Sequence, residues 1–294
     1  MKFILTITEG LFILLLISTL FSCEEIENNH VDLPDFEPEL VVHSFISPSD
    51  TAILLHIGTT RNIFGKLQDY PKYLPAKAWL IDGSNTIAFG NIDSTGICSL
   101  KYAVQPGESY KITAECQGYP SVTATTSVPE SGNFDIEVDT FTTSEILYDY
   151  SYTFLNLKIH VRNTSGRINY CRLYGFLTTY TVYDTLKYNI VFDNNVENTE
   201  TTTTNILETI NDGGEKVYNA KIYIYPGDTT THAEDIRIVA LNTDYDYYRF
   251  HISEENYTNT DNPFSEFAPV FSNIENGKGI FCSYIKNEEM IKIK

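Results

Sequence analysis

The sequence predicts an all-β protein, with an N-terminal immunoglobulin- or transthyretin-like β-sandwich followed by a second β-rich domain with one short helix. Short apolar runs rich in Val, Ile, Tyr and Phe recur along the chain. Turn signals such as Asp82-Gly83 separate them every eight to twelve residues. The chain is also longer than one small core requires, so we expect domains at residues 40–129 and 133–290.

Hairpins account for the strands of the first domain. LVVHSFI and AILLHIG flank a turn at residues 48–50, and AKAWLID and NTIAFGNI flank Asp82-Gly83. A third turn, at residues 105–108, would pair Val104 with Ser109. SVTATTSVPE closes this domain, and Glu130-Ser131-Gly132 is a linker to the next.

Five apolar runs mark the second domain: FLNLKIHVRN, YCRLYGFLTTYTVY, KYNIVF, KVYNAKIYIYP and IRIVAL. Between them, the Thr-rich, acidic residues 193–214 form either a long hairpin arm or a mobile loop. A helix is predicted from Asp244 to about Asn256, because Thr243 and Asp246 have the spacing of a capping box. Its apolar face would carry Tyr245, Tyr248 and Ile252. An Asn-Gly turn and a closing strand end the chain.

Residues 1–22 resemble a bacterial lipoprotein signal peptide. Lys2 gives a positive start, and the apolar core that follows is too short to span a bilayer. The core ends in LFSC, with Leu20 three residues before Cys23. We therefore expect the Cys23 thiol to be acylated and to anchor the protein in the outer membrane. Ordinary secretion with cleavage elsewhere is the alternative.

Residues 23–39 form an acidic tether, with seven acids and no base between Glu24 and Glu39. Like-charge repulsion and two prolines keep such a segment extended. Acids directly after the lipidated cysteine also resemble the surface-export signal of Bacteroidota lipoproteins, so we expect cell-surface exposure. The alternative is a linker without address information. A formal net charge of -19 argues against a nucleic-acid partner.

Cys98 and Cys116 lie near the outer ends of the third predicted hairpin. That pairing would place Cys98 one residue out of register with Cys116, so a disulfide would need only a small shift. Buried free thiols are the alternative. Cys171 and Cys282 both lie in the second domain, and their pairing stays open.

Catalytic motifs are lacking: the chain has no H-E-x-x-H, no G-x-S-x-G and no glycine-rich phosphate loop. Ser283 to Lys286 spells S-x-x-K, but in a strand and near the end of the chain. His43 and His56 would come close on paired strands, yet two imidazoles alone make a poor zinc site. We therefore expect a protein that is not an enzyme and has no cofactor or metal.

Tyrosine is abundant, with 21 Tyr against one Trp. Its ring stacks on sugars while its hydroxyl stays hydrated, although β-sandwiches also use Tyr for packing alone. Four short motifs, Asp followed by Ser or Thr, resemble the O-glycosylation sites of Bacteroidota surface proteins. Their candidate acceptors are Thr51, Ser94, Thr185 and Thr229.

Taken in order, several segments resemble one family. PELVVHSFISP, AKAWLIDG, PGESYKITAECQGYPSVTATTSVPE and LNTDYDYYRF precede the most specific run, NPFSEFAPVFSNIENGKGIF. This order resembles the Bacteroidota outer-membrane lipoproteins grouped as domain of unknown function 4249. Such proteins are typically encoded beside SusC-like TonB-dependent receptors, so the resemblance implies a SusC-like partner. It supplies no catalytic residues.

The function we expect is therefore that of an accessory subunit in TonB-dependent uptake, with an unknown ligand. A stand-alone adhesin or glycan-binding lipoprotein is the first alternative. An envelope structural or assembly factor is the second.

Overall fold

A computed structural model gives the structure, which describes residues 36–61, 74–147, 150–181, 183–196, 199–224, 231–258 and 269–293. The predicted signal peptide and most of the tether lie outside these residues. Pro38–Lys294 forms one compact unit; a second unit, Met1–Glu37, is described only at Phe36 and Glu37. The fold is all-β with one described helix, as the sequence predicts.

The described elements follow one another in this order: β1 (Leu40–Ile46), β2 (Ile53–Thr59), β3 (Ala76–Asp82), β4 (Asn85–Ala88), β5 (Ile97–Leu100), β6 (Ser109–Cys116), β7 (Val122–Ser127), β8 (Phe134–Leu147), β9 (Tyr150–Asn163), β10 (Asn169–Thr181), β11 (Thr185–Asn189), β12 (Phe192–Val196), β13 (Thr199–Thr203), β14 (Asn205–Ile210), β15 (Glu215–Ile224), β16 (Thr231–Thr243), α1 (Tyr245–Thr258) and β17 (Lys278–Lys292).

Three sheets contain the described strands. The large sheet has the order β11-β10-β16-β17-β1-β2-β5, with β14 also paired to β10. A five-stranded sheet has the order β13-β12-β15-β9-β8, and a four-stranded sheet the order β4-β3-β6-β7. At the centre of the large sheet, β1 runs parallel to β17, with Val41 opposite Lys278 and Ile46 opposite Ser283.

Two hydrophobic cores lie against the same face of the large sheet. The first fills the space to the four-stranded sheet, and the second the space to the five-stranded sheet. Side chains alternate along a strand, so the neighbours of these core residues point to the opposite face. There α1 packs its buried Tyr247 and Phe250 on Ile280 and Cys282. Within the described residues, the helix covers only part of this face.

Strand β17 joins the two regions that the sequence separates at residues 130–132. It pairs with β16 of the second region and with β1 of the first, and its Phe281 belongs to the first core. One sheet therefore runs through both predicted domains, although each keeps a core of its own. The division into two domains stays a prediction.

Two predicted hairpins are confirmed, and the third is wrong. Strand β1 pairs with β2, and β3 pairs with β4 across Asp82-Gly83, where Gly83 has a positive φ of 57°. However, β5 pairs with β2, whereas β6 pairs with β3 and β7. The segment around residues 105–108 thus crosses from one sheet to another, so Val104 does not pair with Ser109.

Helix α1 begins one residue later than the capping-box spacing predicts. Asp244 is its N-cap, because Asp244 Oδ1 accepts the backbone N–H of Tyr247 at 2.7 Å. Thr243 Oγ1 instead donates to the Tyr170 carbonyl at 3.3 Å.

The buried face of α1 also differs from the predicted one. Tyr247 and Phe250 are buried, whereas Tyr245 is half exposed. Tyr245 and Tyr248 pack on the ring of Tyr170, each with a centroid distance of 5.1 Å. The predicted and the observed sets of residues both have helical spacing. Packing of α1 on the sheet determines which set is buried.

Of the two structures predicted for residues 193–214, the structure shows a hairpin. Strands β12 and β13 pair from Phe192 opposite Thr203 to Val196 opposite Thr199. The chain then continues into β14, which brings Asn205 beside Tyr174 of β10.

Candidate functional site

The open face of the large sheet forms a groove next to α1, which we call the sheet groove. Alternate residues of β1, β10 and β17 point into it, together with one face of α1. Its main cavity has a volume of about 660 Å³ and is lined by Phe45, Asp50, Arg172, Tyr174, Asn189, Thr204, Asn205, Leu241, Tyr247, His251, Tyr284 and Lys286. A neighbouring cavity of about 580 Å³ shares Phe45, Asp50 and Tyr284 and extends to His43, Leu54 and His56.

Aromatic rings make up one wall of the sheet groove. Phe45 stacks on His251 with a centroid distance of 5.8 Å and meets Tyr247 edge-on at 5.7 Å. Tyr247 in turn meets Tyr284 at 6.0 Å. Burial raises the pKa of Tyr247 to about 12 and also raises that of Tyr284. Both hydroxyls therefore keep their protons near neutral pH and can donate hydrogen bonds.

Arg172 of β10 supplies the groove with a positive charge held by neutral groups. Its Nε donates to Asn205 Oδ1 at 2.9 Å, and its Nη1 donates to Tyr247 Oη at 2.8 Å and to His251 Nε2 at 3.2 Å. Within the described ranges, no carboxylate contacts this guanidinium. Among the described residues, its orientation is thus fixed by hydrogen bonds to uncharged groups.

The protonation of His251 follows from the same contacts. Since its Nε2 accepts from Arg172, the ring proton lies on Nδ1, which donates to Glu254 Oε2 at 3.1 Å. Burial lowers the pKa of His251, and the charge of Arg172 lowers it further, while Glu254 opposes both. His251 therefore orients Arg172 as a neutral imidazole.

The other charged groups of the groove have partners. Lys286 Nζ contacts Glu288, which also binds Arg237 Nε at 3.1 Å. Tyr284 Oη donates to Asp50 Oδ2 at 3.4 Å, and burial raises the pKa of the Asp50 carboxyl. Arg172 is the cation of this site that could pair directly with an incoming anion.

His43 and His56 lie opposite each other on β1 and β2, as expected, with ring centroids 6.4 Å apart. Burial lowers the pKa of His43, and the neighbouring His56 lowers it further. In the part of the chain that the structure describes, His, Cys, Asp and Glu form no group of three or more that could hold a metal ion.

The S-x-x-K motif does not bring its two residues together. Ser283 is fully buried on the core side of β17, where its hydroxyl donates to the Ser127 carbonyl at 2.9 Å. Lys286 lines the sheet groove on the opposite side of the strand. The hydroxyl and the amine therefore cannot act as a nucleophile and its base.

Some of the predicted modification sites lie in the residues that the structure describes, and others do not. Cys23 and Thr229 lie outside the described residues. Thr51, Ser94 and Thr185 are exposed, so their hydroxyls are accessible. In the second motif Asp93 has a structural role: its Oδ1 accepts the Thr95 hydroxyl at 2.6 Å and the backbone N–H of Ile97 at 3.0 Å. O-glycosylation stays a prediction.

Cys98 and Cys116 do not form the candidate disulfide. They are buried free thiols on β5 and β6, which belong to different sheets, because the chain crosses between sheets at the turn. Burial, together with the charge of Asp93, raises the pKa of Cys98 to about 11. Cys171 and Cys282 are also free and buried, in different clusters.

We therefore expect the four described cysteines to be inert in the folded protein, because burial removes both access and thiolate. Ellman's reagent, applied to the Cys23→Ala variant at pH 8 without a reducing agent, should find no reactive thiol before denaturation. In guanidinium chloride it should find four thiols per chain. Two thiols after denaturation would instead reveal a disulfide.

Sequence reasoning missed Arg172 and Asn205. The available signal was a single basic residue inside the apolar, Tyr-containing run YCRLYGF. Side chains alternate along a strand, and Cys171 and Leu173 point into the second core. The basic residue between them therefore points to the other face of the sheet. Asn205 reaches it through the pairing of β14 with β10, for which the sequence carries no local signal.

Comparisons with known proteins bear on the family. The profile of a family described as domain of unknown function (DUF4249) matches residues 26–289. No curated protein matches the chain. None of the helices in the described ranges combines the length and apolar character that a membrane crossing requires.

Two solved structures that match are those of alpha-2-macroglobulin from E. coli. The native conformation has 12% sequence identity and a TM-score of 0.26, covering 71% of this chain and 13% of that chain. The trypsin-activated form has 11% identity and a TM-score of 0.24, covering 72% of this chain and 15% of that chain. The chain thus spans a small fraction of these much longer proteins.

Proposed function

Because the chain belongs to the family described as domain of unknown function 4249, we propose that it is a surface-exposed outer-membrane lipoprotein serving TonB-dependent uptake. It acts as a non-enzymatic accessory subunit of a SusC-like receptor. The lipid on Cys23 and the acidic residues 23–39 hold the folded part beside the channel. The sheet groove captures the ligand and passes it on.

The observation that supports ligand capture is the arrangement of the sheet groove. Aromatic rings offer apolar contact, tyrosine hydroxyls and amides offer hydrogen bonds, and Arg172 offers a charge. Such a combination of apolar surface and a few placed polar groups is typical of ligand sites. The groove is open along one side, so a ligand can enter and leave without a large rearrangement. In this proposal the groove rim faces the channel.

Affinity purification of the native, lipidated protein from gently solubilised membranes tests the partnership. We expect a TonB-dependent barrel to co-purify in stoichiometric amount. The Cys23→Ala variant, which lacks the acylation site but keeps the folded part, should lose it. A monodisperse lipoprotein without a barrel after mild detergent extraction would contradict the proposal.

The same groove also favours a second candidate, a stand-alone glycan-binding surface lipoprotein. Tyr174 and Tyr284, which are only partly buried, line the groove with a ring and a hydroxyl, as in sugar-binding surfaces. The two functions differ in their need for a barrel. Ligand binding by the purified protein, with no barrel in the membrane extract, would favour this second candidate.

A further inference from the structure

Arg172 is unusual because the chain as a whole is strongly acidic, with 39 acids against 20 Lys and Arg. Some cations of the described surface sit against carboxylates: Arg162 binds Glu137 and Glu215, and Lys216 binds Glu208. Arg172 is half-buried, and in the described ranges its hydrogen-bond partners are Asn205, Tyr247 and His251. Placing an uncompensated charge in a partly desolvated groove costs free energy, which an anionic ligand would recover.

The contacts of Arg172 also leave donors for such a ligand. Its Nε and Nη1 groups are occupied by the three neutral partners. Its Nη2 group donates to no residue that the structure describes. A guanidinium fixed in this way is preorganised, because little rotamer freedom remains to be lost on binding.

The charge balance around Arg172 favours a monoanion. Lys286 is already paired with Glu288, and Asp50 also lines the groove. One unbalanced cation beside these acids matches the single charge of a carboxylate better than the double charge of a phosphate.

The rest of the lining favours a sugar as the carrier of that carboxylate. The partly buried Phe45, Tyr174 and Tyr284 present rings, while Asn189, Asn205 and Thr204 present neutral donors and acceptors. Rings pack on the apolar faces of sugars, and amides and hydroxyls match sugar hydroxyls.

We propose that the sheet groove binds a carboxylate-bearing sugar of the uronic acid class, with the carboxylate on Arg172 and the sugar ring against the aromatic wall. This inference rests on the proposed function, since it names the ligand class of the same groove.

Titration calorimetry with galacturonic acid, which carries a single carboxylate, tests the inference on the full-length lipidated protein in detergent at pH 7 and low salt. Its methyl ester is the matched probe, because it keeps the shape and loses the charge. We expect the acid to bind at least tenfold more tightly than the ester. This comparison uses only the wild-type protein, so it does not depend on the folding of a variant.

Variants of Arg172, with Arg162→Gln as the matched control, then locate the contact. Arg172→Gln should weaken binding of the acid at least tenfold and remove its preference over the ester, while Arg172→Lys retains part of that preference. Arg162→Gln, which removes an arginine already paired with two glutamates, should bind like wild type.

Two results would overturn the inference. One is a wild-type protein that binds the acid no more tightly than the ester, or binds neither. The other is an Arg172→Gln protein that keeps the preference for the acid. No barrel takes part in this assay, so its failure and the failure of the co-purification experiment are distinguishable.

Discussion

Replacing Asp244 with alanine is expected to lower the free energy of unfolding at pH 7 by about 3 kcal/mol, because a helix cap and the acceptor of buried donors are lost together. Its Oδ1 caps α1 through Tyr247 N–H at 2.7 Å. Its Oδ2 accepts Ser283 N–H at 3.0 Å and also the Thr126 hydroxyl. Asp244 thus ties α1 to β17 and β7.

Urea unfolding measures this loss, and Asp246→Ala is the control in the same helical turn. Asp246 accepts one described side-chain hydrogen bond, from Asn273 Nδ2 at 2.8 Å, so its removal should cost about 1 kcal/mol. If both variants lost the same stability, the network around Asp244 would not have the role given to it here.

Asp244 should also make stability depend on pH. Burial raises the pKa of Asp244 to about 6, even though its hydrogen bonds to Thr126, Tyr247 and Ser283 lower it. The folded protein therefore holds this proton more tightly than the unfolded chain does, where the pKa is about 4. The stabilising contribution is complete below pH 4 and is lost as the pH rises through 6.

Asp244→Asn removes this titration and keeps an oxygen for the helix cap. Comparing the urea unfolding of both proteins at several pH values cancels the effect of the other acids. The difference in unfolding free energy between wild type and variant should change by on the order of 3 kcal/mol from pH 4 to pH 7. An unchanged difference over this range would show that Asp244 does not titrate there.

The second large effect concerns Gly279, at the start of the parallel pairing of β1 with β17. Its φ is 113°, a backbone conformation that favours glycine. A Cβ there would overlap the Val42 carbonyl oxygen and lie 2.6 Å from His43 Cδ2. Gly279→Ala should therefore cost more than about 3 kcal/mol, since backbone strain and overlap with the neighbouring strand add together.

Gly83→Ala is the matched control for Gly279→Ala. Gly83 also has a positive φ, of 57°, but a Cβ there would meet nothing within 4 Å. Only the backbone preference is then lost, so this variant should cost about 1 kcal/mol. Equal destabilisation of the two variants in urea would mean that the close approach of β1 and β17 does not limit stability.

Local patterns in the sequence predicted most of the strands and the helix. The Asp82-Gly83 turn identified its hairpin because only a few residue types accept a positive φ. The alternation of β1 and β2 likewise predicted that His43 and His56 would meet. The predicted start of the helix was one residue too early, because Thr243 and Asp244 are both residue types that cap helices well.

Pairing between distant segments could not be predicted in this way. The pairing of β1 with β17 joins residues near the two ends of the described chain, and neither strand encodes its partner locally. The same limit hid the candidate site. Arg172 lies on β10, Asn205 on β14, Tyr247 on α1 and Tyr284 on β17, and only the large sheet brings them together.

If the sheet groove delivers a ligand to a channel, its rim must approach that channel in the cell. Leu54 on the rim and Phe141 on the outer face of the five-stranded sheet are 57% and 55% exposed, so they form a matched pair of surface positions. Photo-cross-linking with p-benzoylphenylalanine in place of Leu54 should capture a TonB-dependent barrel, and the same amino acid in place of Phe141 should not. Equal capture from both positions, or a barrel captured from neither, would contradict delivery from the groove.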